Sequence, residues 1–205
     1  MTGNKKSLKI AMIILAAGES KRMGRMKQIL PWKNSTLLGH VIEQGLASTV
    51  DDVFVVLGAN IQSILNKIDQ NDITIIKNQK WQEGMGTSIS CAMHYFKKNS
   101  LYFDAALIVL ADQPLLNLKH YSTLINNYIS SNYKIITTQI NSRAGVPAIF
   151  DRTYFNELAT LDQDFGAKKI IASNVQDAYT INSDVSHADI DTIETYYSLL
   201  NKYGR

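Results

Sequence analysis

Continuous apolar runs alternate along the chain with stretches whose apolar residues recur every three or four positions. The runs are rich in β-branched residues and cover Ile10–Ala16, Val53–Leu57, Ile73–Ile76, Ala105–Leu110 and Ile135–Gln139. Continuous runs predict strands that are buried on both faces, as in a mostly parallel sheet. Helical spacing predicts helices over Thr36–Ser48, Ile61–Ile68 and Met85–Phe96. The pattern therefore predicts a three-layer α/β fold whose sheet is wrapped by helices.

Beyond Gln139 the predicted elements become shorter. Strands are predicted at Val146–Phe150 and Ala178–Ile181, and helices at Asp151–Leu161, Gly166–Ala172 and Ile193–Lys202. A chain of 205 residues, 45% of them hydrophobic, suits one domain with a full core. We predict a single domain over residues 1–205, in which residues from about 141 to 205 elaborate the sheet formed by about 8 to 140.

Composition and charge disfavour several classes of protein. The net charge of +3 is small and its basic residues are scattered, so no nucleic-acid partner is predicted. The apolar run from Ile10 ends at Gly18, far short of the roughly 20 residues that cross a bilayer, so no membrane contact is predicted. Cys91 is alone, and the histidines lack zinc-ligand spacing. We predict a cytoplasmic protein, whose basic excess between Lys5 and Lys33 suits a small polyanion.

The loop after the first predicted strand is the leading candidate for chemistry. In open α/β sheets, a loop at the carboxyl end of an early strand faces the ligand crevice. Gly18 and Gly24 would let the main chain approach a polyphosphate, and Arg22, Arg25 and Lys27 would supply cations. The loop has neither the G-x-x-x-x-G-K-[ST] nor the G-x-G-x-x-G spacing. From spacing alone, a simple turn with solvated cations remains an equal alternative.

A longer motif around this loop carries a family resemblance. The residues Leu15-Ala16-Ala17-Gly18-x-Ser20-x-Arg22-Met23-Gly24-x-x-Lys27-x-x-Leu30-Pro31 resemble the signature of MobA-like nucleotidyltransferases, in particular the molybdenum cofactor cytidylyltransferases. The resemblance implies a nucleotide-diphospho-sugar transferase-like fold with a Rossmann-like nucleotide half. It also implies a loop that wraps a nucleoside triphosphate, with Arg22 and Lys27 on the phosphates. Ala16, Ala17 and Gly18 would make contacts near the base, and Leu15, Ser20 and Gly24 are further candidates for nucleotide binding.

The residue at position 17 bears on the choice of base. Guanylyl-transferring relatives usually carry a second glycine there, whereas this chain has Ala17. The extra methyl group leaves less room for a purine, which favours CTP over GTP.

Two acidic segments are candidate magnesium sites. Asp112 follows the predicted strand Ala105–Leu110 at once, where a carboxylate would point into the same crevice, although an Asp before Pro114 also starts ordinary turns. The resemblance identifies this Asp-x-Pro as a metal-binding signature. It likewise assigns a second Mg²⁺ ligand in Asp189-Ile190-Asp191-Thr192, to Asp191 first and Asp189 second. Capping of the last helix by Asp191 or Thr192 is the competing interpretation.

Further segments match the family with varying fidelity. The helix start Gly84-Met85-Gly86-Thr87-Ser88 resembles a segment that lies over the nucleotide, which makes Asn78, Gly84 and Ser88 secondary binding candidates, although caps are the commoner use of such residues. On the acceptor side, Val146 replaces a histidine, and Gln163 and Lys168 replace a glycine and an arginine. Because lysine lacks the two-pronged grip of arginine on phosphate, these departures bear on the identity of the acceptor.

The resemblance implies Mg²⁺-dependent transfer of a nucleotidyl group to a phosphorylated small molecule, namely molybdopterin. Lys27, Arg22 and Asp112 would be the catalytic residues. A sugar or polyol phosphate is the nearer alternative acceptor. A non-catalytic accessory protein, which delivers cofactor to a molybdenum hydroxylase, is an alternative of another class, and docking to a molybdenum enzyme is compatible with either role. An oxidoreductase is the least favoured class, because the dinucleotide fingerprint is absent.

Overall fold

The computed structural model describes residues 8–140, 143–163, 166–183 and 189–204. Its strands are β1 (Ile10–Leu15), β2 (Pro31–Trp32), β3 (Ser35–Thr36), β4 (Asp52–Leu57), β5 (Ile73–Lys77), β6 (Ala105–Leu110), β7 (Ile135–Ile140), β8 (Arg143–Asp151) and β9 (Ala178–Ile181). Its α-helices are α1 (Leu37–Leu46), α2 (Ile61–Leu65), α3 (Met85–Lys98), α4 (Leu118–Ser130), α5 (Phe155–Leu158), α6 (Lys168–Ser173) and α7 (Ile193–Tyr203). None of these helices is long and apolar enough to cross a membrane.

Seven of the described strands form one mostly parallel sheet in the order β5-β4-β1-β6-β8-β7-β9, which confirms the predicted fold class. Strand β1 pairs in parallel with β4 and β6, and β7 pairs in parallel with β9. Strand β8 is antiparallel to both of its neighbours, since it follows β7 too closely along the chain for a parallel crossover. Strands β2 and β3 form a separate antiparallel pair beside the main sheet.

Helix α4 is the one long described helix that the predicted elements lack. Asn117 caps its first turn by accepting a hydrogen bond from the Lys119 backbone N–H at 3.1 Å. Its buried residues Tyr121, Leu124 and Tyr128 recur at helical spacing. The cap and this spacing are the signals that would have revealed the helix. The predicted helix Asp151–Leu161 is instead a 3-10 turn, Arg152–Tyr154, followed by the short helix α5.

Each face of the sheet is covered by its own hydrophobic core. All six residues of β1 are buried, and they alternate between the two faces. Met12 and Ile14 pack with α1 and α4, whereas Ala11 and Ile13 pack with α3 and α6. Burial on both faces explains why the strand sequences read as continuous apolar runs.

A third, smaller core attaches the closing helix α7 to the strand pair β2–β3. Trp32 and Ile190 are fully buried in it beside Tyr196 of α7. The Tyr196 hydroxyl donates to the Pro31 carbonyl at 2.8 Å, and the Lys33 N–H donates to the Gly204 carbonyl at 2.8 Å. This packing holds residues 189–191, which precede α7, over the carboxyl end of the main sheet.

The buried side chain of His40 makes the folding stability of this protein depend on pH. Its side chain is buried in α1, and burial lowers its pKa below the ordinary value of 6.5, with Lys33 acting in the same direction and Glu43 opposing. The unfolded chain therefore takes up a proton below about pH 6.5 before the folded chain does. The stability that His40 contributes is complete above that pH, and it is lost as the pH falls toward the lowered folded pKa, by at most about 1.4 kcal/mol per pH unit. Urea unfolding at pH 7.5 and 5.5 should show a larger loss for the wild type than for His40→Asn, and equal losses would contradict this assignment.

Candidate active site

Two loops meet at the carboxyl ends of the adjacent strands β1 and β6. Leu15 and Leu110, the last residues of these strands, are register partners, so the segments that follow them start side by side. Between the segments lies a cleft of about 480 Å³. It is lined by the predicted site residues Leu15, Ala16, Ala17, Gly18, Ser20, Arg22, Lys27, Gly84, Ser88, Asp112 and Asp191. The structure thus brings most of the candidates together in one open cleft.

Gln28 fixes the shape of the loop after β1. Its side chain is buried, and its amide donates to the carbonyl oxygens of Ala16 at 3.0 Å and Gly18 at 2.6 Å. Since C=O and N–H point in opposite directions across a trans peptide, the N–H groups that follow these carbonyls face away from Gln28. The N–H groups of Ala17, Gly18 and Glu19 donate to no residue in the described part of the chain. The loop therefore offers free amides of the kind that bind phosphate oxygens.

Lys27 is the centre of the charged network in the cleft. Its Nζ lies 2.5 Å from Asp112 Oδ2 and 3.3 Å from Asp191 Oδ1, and it also donates to the Ile190 carbonyl at 3.3 Å. The Lys27 and Asp112 side chains are largely buried, with 19% and 17% of their surface exposed. Arg22, which is exposed, contacts the other Asp191 oxygen at 3.2 Å. One cation thus joins two acidic segments that are distant in sequence, and a second cation stands at the cleft mouth.

Asp112 combines a raised pKa with a carboxylate oxygen that could contact a further cation. Burial raises the pKa of its carboxyl above the ordinary value, and the Lys27 ammonium opposes this effect. Its Oδ1 atom is buried and accepts no hydrogen bond from any described residue. No group of three His, Cys, Asp or Glu side chains in the described ranges is arranged to hold a metal. Asp112 and Asp191 nevertheless fit Mg²⁺, which commonly takes one or two carboxylates together with phosphate oxygens.

The start of helix α3 closes one side of the cleft. Asn78 is buried and donates to Thr87 Oγ1 at 2.9 Å and Ser88 Oγ at 3.0 Å, so it holds this helix start rather than lining the cleft. Ser88 and Gly84 do line it. Trp81 also lines the cleft, packed so closely on Gly58 that a Cβ at Gly58 would collide with it. In the first turn of α3 the Thr87 N–H donates to the Gly84 carbonyl at 3.2 Å, whereas the N–H groups of Met85 and Gly86 have no backbone partner among the described residues, as in helix starts that bind anions.

The other predicted residues lie around the cleft. Gly24 adopts a left-handed conformation (φ 61°) and ends the 3-10 turn Lys21–Met23, as a loop-shaping glycine would. Thr192 caps α7 through a hydrogen bond from the Thr195 N–H at 3.2 Å, which bears out the capping interpretation for that residue. Asp189 lines a neighbouring pocket, as do Val146 and Lys168. In the segment around Gln163, residues Asp164 and Phe165 lie outside the described ranges.

Two glutamines were missed by sequence reasoning. Gln28 reads as an ordinary polar residue, and only its burial against two carbonyls reveals its role. Gln113 is hidden between Asp112 and Pro114 in the motif, yet it is buried and donates to Asp189 Oδ1 at 2.9 Å. The available signal was the position of Gln113 just after a buried strand. A polar side chain that is buried there needs a hydrogen-bond partner, which predicts a contact with another segment.

This fold and this cleft define the class of nucleotidyltransferases: a mostly parallel sheet, an amide-rich loop with cations at the end of β1, and a carboxylate at the end of β6. The family described as the MobA-like NTP transferase domain matches residues 12–178. The chain belongs to this family, which confirms the resemblance of its loop motif.

Curated relatives differ in what they are named for. The chain is 30% identical over 200 residues to nicotine blue oxidoreductase of Paenarthrobacter nicotinovorans, which covers 92% of this chain and 95% of that protein. It is 35% identical over 85 residues to molybdenum cofactor cytidylyltransferase of Escherichia coli, which covers 41% of this chain and 44% of that protein. The relatives thus share the family and carry different activity names.

Solved structures share the whole fold. A homologue of Mycobacterium tuberculosis rv0371c from Mycobacterium sp. strain JC1 superposes with a TM-score of 0.81 at 26% identity, covering 95% of this chain and 96% of that one. A nucleotidyl transferase from Methanothermobacter superposes with a TM-score of 0.79 at 15% identity, covering 97% and 98%. The second likeness shows the fold alone.

Proposed function

We propose that this protein transfers a cytidylyl group from CTP to a phosphorylated small molecule, molybdopterin, in a Mg²⁺-dependent reaction that releases pyrophosphate. The observation that carries the proposal is the contact of Lys27 with both Asp112 and Asp191, within a cleft whose loop presents free N–H groups. Cations, free amides and acidic side chains together are what binding and rearranging a polyphosphate require.

Each residue has a role in this proposal. Asp112 and Asp191 would hold Mg²⁺, with Asp189 as the second-ranked ligand, and the ion would neutralise charge on the phosphates. Lys27 and Arg22 would contact the triphosphate and stabilise the departing pyrophosphate. The free amides of Ala17 and Gly18 would complete the phosphate cradle. Ser20, Gly24 and Asn78 would hold the loop and the start of α3 in the shape that binding needs.

The proposed nucleophile is the acceptor's own phosphate. One of its oxygens would attack the α-phosphorus of CTP in line, and the bond to the β-phosphate would break as pyrophosphate leaves. An anionic phosphate is already a nucleophile, so the site needs no general base. Positioning and charge neutralisation supply the rate enhancement. With one unpaired cysteine, the protein is proposed to act in the reducing cytoplasm, where docking to a molybdenum enzyme would let it pass on its product.

A panel of nucleotides tests the proposal and the choice of base. Pyrophosphate release should require Mg²⁺ and molybdopterin, and it should be faster with CTP than with GTP, ATP or UTP. Ala17 lines the cleft, and its carbonyl accepts from the Ala59 N–H at 2.9 Å, which holds its backbone in place; in this proposal its methyl group lies near the base. Ala17→Gly should therefore raise kcat/KM for GTP about 10-fold relative to CTP. No release from any triphosphate would reject the proposal, and an unchanged base preference in Ala17→Gly would reject the role of the methyl group.

Two alternative acceptors or roles are separated by the same assay. Release with a sugar or polyol phosphate but not with molybdopterin would keep the chemistry and change the acceptor. Tight molybdopterin binding without any Mg²⁺-dependent release would favour an accessory protein that delivers cofactor.

Oxidoreductase activity is a second candidate function. The relative from Paenarthrobacter nicotinovorans carries that name, and it matches this chain over 95% of its own length. The cations and free amides of the cleft favour phosphate transfer over this alternative. A spectral change of NADH or NADPH on mixing with the protein and an electron acceptor would support the oxidoreductase, and a constant spectrum would dispose of it.

A further inference from the structure

A second pocket of about 490 Å³ adjoins the cleft and shares Met85 and Leu110 with it. Arg143 of β8 and Lys168 of α6 contribute cations to its lining, and neither forms an ion pair with another described residue. Gln113 and Asp189 line the same pocket. An anionic molecule in this pocket would therefore reach the boundary with the nucleotide cleft.

Gln113 is held there in one orientation. Its side chain is 4% exposed, and its Nε2 donates to Asp189 Oδ1 at 2.9 Å. The reversed amide would set the Gln113 carbonyl oxygen against a carboxylate oxygen, which is repulsive. The hydrogen bond to Asp189 therefore fixes Oε1 as the end of the side chain that is left to accept a bond.

That oxygen has no hydrogen-bond partner among the residues described. Gln113 Oε1 is buried and accepts no hydrogen bond from any residue in the ranges the structure describes. Buried acceptors are rarely left unpaired, because desolvation without a replacement bond is costly. A buried water or a ligand would supply the missing donor, and a ligand would reach this oxygen only after a small shift of the atoms that cover it.

We propose that Gln113 is a specificity-determining residue for the acceptor, whose Oε1 accepts a hydrogen bond from a ring N–H or hydroxyl of that molecule. Asp189 is then a positioning residue, which acts by holding the glutamine amide. The inference rests on the proposed function and narrows its substrate class: the acceptor carries a phosphate and, at a distance from it, a hydrogen-bond donor. The nitrogen-rich ring of molybdopterin meets this requirement, and so do the hydroxyls of a sugar phosphate.

The direct test replaces Gln113 with methionine, which keeps the length of the side chain and removes the acceptor oxygen. With Mg²⁺ and CTP, Gln113→Met should raise the KM for molybdopterin about 10-fold, a typical effect of losing one buried hydrogen bond, and leave the KM for CTP unchanged. Gln176→Met is the matched control, since Gln176 is exposed and far along the chain. An unchanged molybdopterin KM, with or without a change in stability, would overturn the inference and leave a buried water as the partner of Oε1.

Asp189→Asn supplies a second, independent variant. Its amide could turn to donate to Gln113 Oε1, which would occupy the acceptor's site, so the molybdopterin KM should rise, whatever the variant does to the Mg²⁺ requirement. A shift in the Mg²⁺ requirement without a change in KM would overturn the positioning role and identify Asp189 as a metal ligand. If the wild type releases no pyrophosphate with any acceptor, the proposed function and the inference both fail. If it does so normally and both variants keep the wild-type KM, the inference alone fails.

Discussion

Replacing Asp112 with asparagine is expected to lower kcat/KM for pyrophosphate release at least about 10³-fold, which corresponds to about 4 kcal/mol of transition-state stabilisation. The variant keeps the shape of the side chain and removes its charge. It thereby removes the proposed metal ligand with the free buried oxygen, and also the strongest partner of Lys27. Steady-state release with Mg²⁺, CTP and molybdopterin measures the loss, and CTP affinity in the absence of Mg²⁺ should change far less than the rate.

Asp52→Asn is the matched control for this experiment. Asp52 is an exposed aspartate at the start of β4, and no ion pair of it occurs among the described residues. The control should keep the wild-type rate and unfolding temperature. An Asp112→Asn protein that releases pyrophosphate normally would refute the metal assignment, because Asp112 is the most buried of the described carboxylates that line the cleft.

Burial explains which strands and helices could be predicted from the sequence. Strand β1 is buried along its whole length, so every residue in it is apolar and the run is visible without knowledge of its neighbours. Helix α7 is amphipathic, starts at the Thr192 cap, and was predicted within one residue of its observed end. The position of β8 between β6 and β7 could not be predicted in this way. The pairing partners of a strand depend on the packing of the whole sheet and not on the sequence of that strand alone.

Some residues of the candidate site could be predicted from sequence motifs, and others could not. The loop cations stand in one ordered motif and Asp112 stands in a second one, so the family resemblance assigns roles to all of them, and these roles remain proposals. The role of Gln113 could not be predicted, because its partner Asp189 is 76 residues away along the chain. Only the packing of α7 on the strand pair β2–β3 brings the two side chains together. A residue whose function depends on such a long-range contact carries no local signal.

Replacing Lys27 with methionine should reduce both rate and stability, and Mg²⁺ should separate the two effects. Without the ammonium group, Asp112 has no ion-pair partner among the described residues and Asp191 keeps only the exposed Arg22. We expect a loss of about 2 kcal/mol, less than for a fully buried pair because the side chains are partly exposed. For a domain of this size, that loss lowers the unfolding temperature by roughly 4–8 °C. The rate of pyrophosphate release should fall by about 10²–10³-fold, because a cation on the leaving phosphates is lost.

Addition of Mg²⁺ is the discriminating step. A divalent ion that binds the two carboxylates would take the place of the missing ammonium, so Mg²⁺ should raise the unfolding temperature of Lys27→Met more than that of the wild type, in proportion to its tighter binding to the variant. It should not restore the rate, since the phosphate contact of Lys27 is still missing. The exposed Lys67, replaced by methionine, serves as the control and should respond to Mg²⁺ as the wild type does. Equal Mg²⁺ stabilisation of all three proteins would show that the ion does not bind between Asp112 and Asp191, and the charge network around Lys27 would then be structural rather than catalytic.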